Sequence, residues 1–453
     1  MSRFLQDFIW GTATSSYQIE GAAYEDGKKA SIWDAFCQVP GRIVNNDHGE
    51  VACDHYHLYK EDIALLKELN MQSYRFSVCW PRIFPDGVGK PNEKGLDFYK
   101  RVIDELHKQQ IHPLLTLYHW DLPQALQDKG GWTNRDTVER FGEFSSCMYE
   151  QFGDVVSDWV TINEPWVISY LGHYTGEHAP GITDISAFLK SAHHVLLAHG
   201  EGVQRFRQSK AKHGKVGIVL NVAQVYPASS SAEDRQAAQV WDGLLNGWFI
   251  DAVFKGRYPQ HMQELYSKLT DMSFIQPGDL ERISQKTDFL GINYYSVARV
   301  KQGDSAFGTE LVQVAEPVTH MDWEIAPQGL VDILKRLSAD TEGQLPIVVT
   351  ENGAVYDDVV TPEGEIHDDE RLDYVQKHIQ ACQQAIAEGV DLRGYYIWSM
   401  LDNFEWAFGY DKRFGMVHVD FETLKRTPKK TAYWYRDFIK NSTTGSVVDT
   451  ASR

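Results

Sequence analysis

The chain is poor in cysteine, and the few it has are scattered. Cys37, Cys53, Cys79, Cys147 and Cys382 are the five among 453 residues. They are odd in number and none stands in a Cys-x-x-Cys pair, which excludes a disulfide framework and predicts reduced thiols in a cytoplasmic setting. No apolar run is long enough to cross a bilayer, so no membrane partner is expected. Residues 1–7 carry no apolar leader either. Positive charge is scarce: 44 Lys and Arg stand against 63 Asp and Glu, a formal net charge of −19. Such a surface repels phosphate backbones, which argues against a nucleic-acid partner. No metal is expected, because His-Glu-x-x-His is absent and His55 and His57, two apart at a helix start, do not share a face. Linkers, repeats and low-complexity blocks are missing too. One domain over residues 1–440 is expected, with the Ser/Thr/Gly-rich tail 441–453 read as disordered.

What is present is an alternation. Apolar, β-branched stretches at 8–13, 73–80, 112–120, 159–164, 215–221, 288–295, 348–351 and 394–399 read as strands. Between most of them lie helical patterns. Tyr59, Ile63, Leu66 and Leu69 follow a candidate N-cap at Asp54, and Leu372, Val375, Ile379, Cys382 and Ile386 form a clean stripe. Helices are also expected at about 134–152, 186–210, 232–255 and 328–340, with a last one entered at Thr427-Pro428 and running to about Lys440. The stretch 166–185 and some thirty residues before 328 read as loop. Eight strand–helix units predict an α/β fold, a single (β/α)8 TIM barrel whose working face lies at the C-terminal ends of the strands.

Two of those strand ends carry the same signature. Val348-Val349-Thr350-Glu351-Asn352-Gly353 delivers a glutamate into turn chemistry, and Thr161-Ile162-Asn163-Glu164-Pro165 delivers another against a proline. Strands four and seven stand across the ring from one another, so the two carboxyls can face each other. Paired carboxylates serve glycosidic cleavage; a gap of about 5–5.5 Å means retention and about 6.5–9.5 Å inversion. Gln18, His119, Asn163, Asn293, Tyr295 and Glu405 are candidate hydroxyl binders at strand ends, and Trp120, Trp398 and Trp406 candidate walls for a sugar. Tyr295 and Arg75 are candidates to hold Glu351 ionised, and an apolar setting beside Trp120 or Trp166 would raise Glu164 as a general acid requires.

In the stretches 8–21, 74–85, 118–123, 161–165, 293–295, 350–353 and 398–415 the chain resembles glycoside hydrolase family 1, the β-glucosidases. The resemblance implies retention through a covalent glycosyl-enzyme, with Glu164 as acid/base and Glu351 as nucleophile. It implies that Gln18, His119, Asn163, Glu405 and Trp406 hold the hydroxyls of a non-reducing glucose over a Trp398 floor, and that Asn293 and Tyr295 support the reaction centre. Phe414 joins the substrate-binding set. Trp323, with Trp166, Leu171 and His178, is expected along the leaving group. No cofactor is expected. The implied substrates are small β-glucosides: cellobiose, short β-glucans and aryl glucosides. Val167 and Val355 depart from common family residues at positions bordering the site. Glu405 suits neutral hydroxyls, which sets the 6-phospho-β-glucosidase alternative behind, and the presence of both glutamates does the same for a non-catalytic sugar-binding barrel.

Overall fold

A computed structural model describes residues 4–5, 7–315 and 317–444. Ile9–Ala13, Ser73–Ser77, His112–Tyr118, Asp158–Asn163, Lys215–Asn221, Phe289–Asn293, Ile347–Asn352 and Leu392–Trp398 form a closed parallel barrel, here called barrel strands one to eight. They follow one another around the ring in chain order, and strand eight closes on strand one with Trp398 beside Ala13. Strands buried on both faces must be apolar on both, which is why they read as continuous hydrophobic runs rather than alternations.

Inward residues fill the barrel floor. Leu114, Val160, Val219, Phe289 and Tyr396 pack with Ile9 and Val348 as a core of their own, inside the ring. The Tyr396 hydroxyl donates to Ser73 Oγ at 2.8 Å, so strand two is tied to the same plug. Outward residues pack under the helices. Glu93–Lys108 buries Phe98, Tyr99, Val102, Ile103 and Leu106 on one face, and Asp369–Ala387 buries Tyr374, Val375, Ile379 and Cys382. A plugged barrel leaves only the rim at the strand ends open for chemistry.

Local differences from the sequence pattern have identifiable causes. Val167–Thr175, expected as loop, is a wide π-helical segment whose apolar residues pack on the helix Ile185–Gln208. Residues 232–255 are helical throughout, with a π segment at Gly243–Gly247. The long loop after strand six contains two short strands, Ala298–Gln302 and Thr309–Leu311, which join Val225–Pro227 in a small side sheet. Asp54 does not cap its helix: its φ is +52° and its carboxylate meets His57 Nδ1 at 2.6 Å instead. Arg426–Pro428 pairs with Val417–Val419 as a strand, and the last helix, Lys430–Thr444, runs past the expected end at Lys440. Of the tail expected to be disordered, residues 441–444 are thus helical and 445–453 lie outside the described residues. Among the described residues no helix is long and apolar enough to cross a membrane. No group of three or more His, Cys, Asp or Glu among them is placed to hold a metal ion.

Candidate active site

Arg75 organises the rim. It stands on barrel strand two and is 1% exposed. Its Nη1 donates to Glu351 Oε1 at 2.5 Å, its Nη2 to Asn163 Oδ1 at 2.7 Å and its Nε to Thr116 Oγ1 at 3.2 Å. One guanidinium therefore ties strand two to strands three, four and seven. The other oxygen of Glu351 accepts from the Tyr295 hydroxyl at 2.7 Å.

Glu164 stands one residue past strand four. Its φ of +52° is the left-handed region, a strained conformation that needs support from its surroundings. Support comes from its backbone N–H, which donates to the Val219 carbonyl at 2.9 Å, and from its side chain. Asn293 Nδ2 donates to Glu164 Oε1 at 2.6 Å and lies 3.1 Å from Asn163 Oδ1. Thr350 Oγ1 in turn donates to Asn293 Oδ1 at 2.8 Å, fixing which way that amide faces. Trp120 and Trp406 also adopt positive φ, at +80° and +49°.

The two carboxyls sit in unlike fields. Burial, and then the charge on Glu351, push Glu164 up to about 8, opposed chiefly by the Asn293 amide. Burial also raises Glu351, but there the Arg75 charge, the Tyr295 hydroxyl and the Arg75 hydrogen bond all act to lower it. A full positive charge against one oxygen and a phenol against the other make Glu351 the group that ionises first, and Glu164 the group that keeps its proton at neutral pH. The same rim therefore offers a carboxyl that gives up its proton more readily and one that holds it.

Beside them lies a polar corner. Gln18 sits in the short helix Ser16–Ile19, and its Nε2 lies 2.8 Å from the Phe404 carbonyl, 3.0 Å from Asn403 Oδ1 and 3.4 Å from Glu405 Oε2. Ser15 Oγ donates to Gln18 Oε1 at 2.6 Å. Burial and the charge on Glu351 push Glu405 up to about 8, against the Gln18 hydrogen bond. The His119 ring stacks between Trp398 and Trp406, with centroids 5.8 and 6.0 Å away. Burial, and then the nearby Arg75, hold it well below the usual histidine range, so it is neutral. Its Nε2 accepts from Asn163 Nδ2 at 3.2 Å, and its buried Nδ1 meets no protein partner among the described residues.

Aromatic rings line the rim in two groups. Trp120 packs 4.5 Å from Trp406 and donates its Nε1 to the Asn163 carbonyl at 3.0 Å. In the second group Tyr295, Trp323 and Phe414 lie 5.4 to 6.1 Å from one another, in one cluster with Trp398 and Val355. The residues named from sequence for the two carboxyls, the polar corner and the aromatic walls thus come together at the strand ends, whereas Leu171, named along the leaving group, lies within Val167–Thr175 and makes none of these contacts. Trp166 stacks on Tyr170 at 4.6 Å, and His178 packs behind the first group, 5.3 Å from Trp33 and 5.5 Å from Trp120. Sequence reading missed Thr116, Thr350 and Asn403 as parts of the site. Thr350 stood inside a quoted motif, but nothing local tells a site-facing threonine from a core one.

A (β/α)8 barrel that holds two buried carboxyls in unlike fields at an aromatic-lined rim suits the cleavage of glycosidic bonds. Comparison with known proteins agrees. The family model for glycosyl hydrolase family 1 matches residues 1–444. Beta-glucosidase A of Acetivibrio thermocellus is 49% identical over 445 residues, covering 97% of this chain and 98% of the relative. The 1,4-beta-D-glucan glucohydrolase of Thermotoga neapolitana is 46% identical, covering 98% of this chain and 99% of that protein. The structure of the Thermotoga maritima beta-glucosidase in complex with glucoimidazole is similar with a TM-score of 0.94 at 46% identity, covering 98% of this chain and all of the other. The chain belongs to glycosyl hydrolase family 1.

Proposed function

We propose that the protein is a retaining, exo-acting β-glucosidase that removes terminal non-reducing β-D-glucosyl residues by double displacement. The unequal environment of Glu164 and Glu351 supports the division of labour between the two carboxyls, and membership of glycosyl hydrolase family 1 supports retention. In the first step the Glu351 carboxylate attacks the anomeric carbon while Glu164 passes its proton to the departing oxygen. The bond to the leaving group breaks and a glycosyl ester on Glu351 forms. Esterification removes the Glu351 charge, which is the second-largest cause of the raised Glu164 value, so Glu164 becomes easier to ionise. In the second step Glu164, now a carboxylate, takes a proton from water as that water attacks the anomeric carbon and frees Glu351. Two carboxyls supply all the proton and covalent chemistry. Arg75 and Tyr295 keep Glu351 ready, and Asn293 orients Glu164.

In this reading Gln18, His119, Asn163, Glu405 and Trp406 hold the glucose hydroxyls, with Trp398 beneath the ring. Trp120, Phe414 and Trp323 shape the walls, Trp323 toward the leaving group. The substrates are cellobiose, short β-glucans and aryl β-glucosides, in keeping with the glucohydrolase and glucosidase relatives. Among the described residues the two cations beside this corner are already engaged: Arg413 pairs with Asp402 at 2.7 Å, and Lys412 donates to the His320 carbonyl at 3.0 Å and lies 3.6 Å from Asp411. The working compartment is the cytoplasm, which suits five free thiols.

Labelling with a 2-deoxy-2-fluoro-β-glucoside that carries a dinitrophenolate leaving group tests the proposal. The fluorine slows both steps and the activated leaving group lets the first proceed, so the ester accumulates. Intact mass should rise by one sugar, and peptide mapping should place that sugar on Glu351. No adduct, together with turnover of the 6-phosphate analogue, would instead establish a phosphoglucosidase. No adduct and no turnover of either would leave a sugar-binding barrel.

A further inference from the structure

Behind the sugar corner lies a buried ionic cluster that the chemistry above does not use. Lys429, just before the last helix, is 0% exposed. Its Nζ donates to Asp402 Oδ1 at 2.7 Å and to Asp358 Oδ2. Arg371 pairs with Asp358 at 2.9 Å and Asp368 at 2.7 Å, and Arg413 pairs with Asp402 at 2.7 Å. Three cations thus meet three carboxylates, and all but Arg413 are essentially out of reach of water.

The cluster also grips backbone on both sides of the site. Arg371 Nε donates to the Ala354 carbonyl at 3.2 Å, three residues past Glu351, and its Nη2 donates to the Arg413 carbonyl at 2.9 Å. Asp402 Oδ1 accepts from the Gly415 N–H at 2.9 Å, so Phe414 is held between two anchored neighbours. The residues directly after Asp402 are Asn403, Phe404 and Glu405, the three that face the Gln18 amide. A buried charge left without its partner is costly, so an ionic cluster with matched charges admits very few arrangements of the loops it joins.

We infer that Lys429, Asp402 and Arg413 are positioning residues for the glucose-binding corner: by pairing inside this cluster they set where Asn403, Glu405 and Gln18 stand, and with them the grip on the hydroxyls at the far end of the sugar. This rests on the β-glucosidase reading above. The consequence is a selective one. If Glu405 takes the hydroxyl of the outer hydroxymethyl group as well as a ring hydroxyl, breaking the cluster should harm substrates that carry that group more than those that lack it.

The test uses Lys429→Met and, because a buried change may prevent folding, Arg413→Gln, whose side chain is 25% exposed. Active-site concentration is set by titration with the fluoroglucoside, and kcat/KM is measured for matched aryl β-glucoside and aryl β-xyloside well below the unfolding temperature. Each folded variant should lose about tenfold or more in kcat/KM on the glucoside and several-fold less than that on the xyloside, so the ratio falls. A lowered unfolding temperature with the ratio unchanged would show that the cluster only stabilises the fold, and would overturn the inference. A crystal structure of Arg413→Gln gives a readout independent of activity. Displacement of Asn403 and Glu405 from Gln18 supports the inference, and an unchanged corner overturns it. A wild-type enzyme inactive on glucosides would refute the proposed function while leaving this last comparison decisive.

Discussion

Tyr295→Phe isolates a single bond to the reacting carboxylate. The hydroxyl lies 2.7 Å from Glu351 Oε2, while the ring packs on Trp323 and Phe414. Phenylalanine keeps that packing and removes only the donor. A hydrogen bond to a charged acceptor contributes about 1.5–3 kcal/mol. It favours the ionised form of Glu351, so its loss raises the pKa, and at about 1.36 kcal/mol per unit the shift is about one to two units upward. The assay is kcat/KM for an aryl β-glucoside from about pH 4 to about pH 9, where the acid limb reports ionisation of the free enzyme's nucleophile and the alkaline limb its proton donor. The acid limb should move up by that amount. Glu164 keeps its Asn293 contact, so the alkaline limb should hold its place or drift slightly down as Glu351 carries less charge. A fixed acid limb, or a displacement of the alkaline limb alone, would refute the assignment of Glu351 as the ionised group.

The remaining expectations use the same geometry. Glu164→Gln removes a carboxyl held near 8 when folded but about 4.3 when unfolded, so the native protein should lose stability as pH rises between those values. Thermal melts should accordingly show the variant gaining on the wild type from about pH 4 to about pH 8, and a constant gap would contradict the raised value. The same variant should lose its alkaline limb on dinitrophenyl glucoside, a substrate that needs no proton from the enzyme. Glu351→Gly should abolish turnover with the fold intact, and added azide should restore it with the α-glucosyl azide as product; a β-azide would point away from a nucleophile at this position. Gly353→Ala would put a Cβ 1.8 Å from the Trp398 carbonyl oxygen, so the strand-seven and strand-eight loops must part. Urea unfolding should show a loss of about 1–3 kcal/mol or more, with activity falling alongside.

The sequence by itself determined the barrel and the pair of glutamates. Continuous β-branched runs can be satisfied only by strands buried on both faces, and eight of them alternating with amphipathic helices leave a closed ring as the compact solution. Each glutamate closes such a run, and a turn signal at Asn352-Gly353 or Pro165 holds it at the rim. What periodicity could not reveal was anything set through space. The salt bridge that separates the roles of Glu351 and Glu164 joins residues 276 apart, and the amide contact that seats Gln18 on Asn403 spans 385. Asp54 looked like a helix cap because capping residues are recognised by type, yet His57 took its carboxylate. The helical segment Val167–Thr175 and the small side sheet were hidden for the same reason: their stability comes from surfaces that other parts of the chain supply. Local patterns record what a segment must bury. Only the tertiary structure decides which charges meet, because the field at any one carboxyl is the sum over neighbours brought in by other strands.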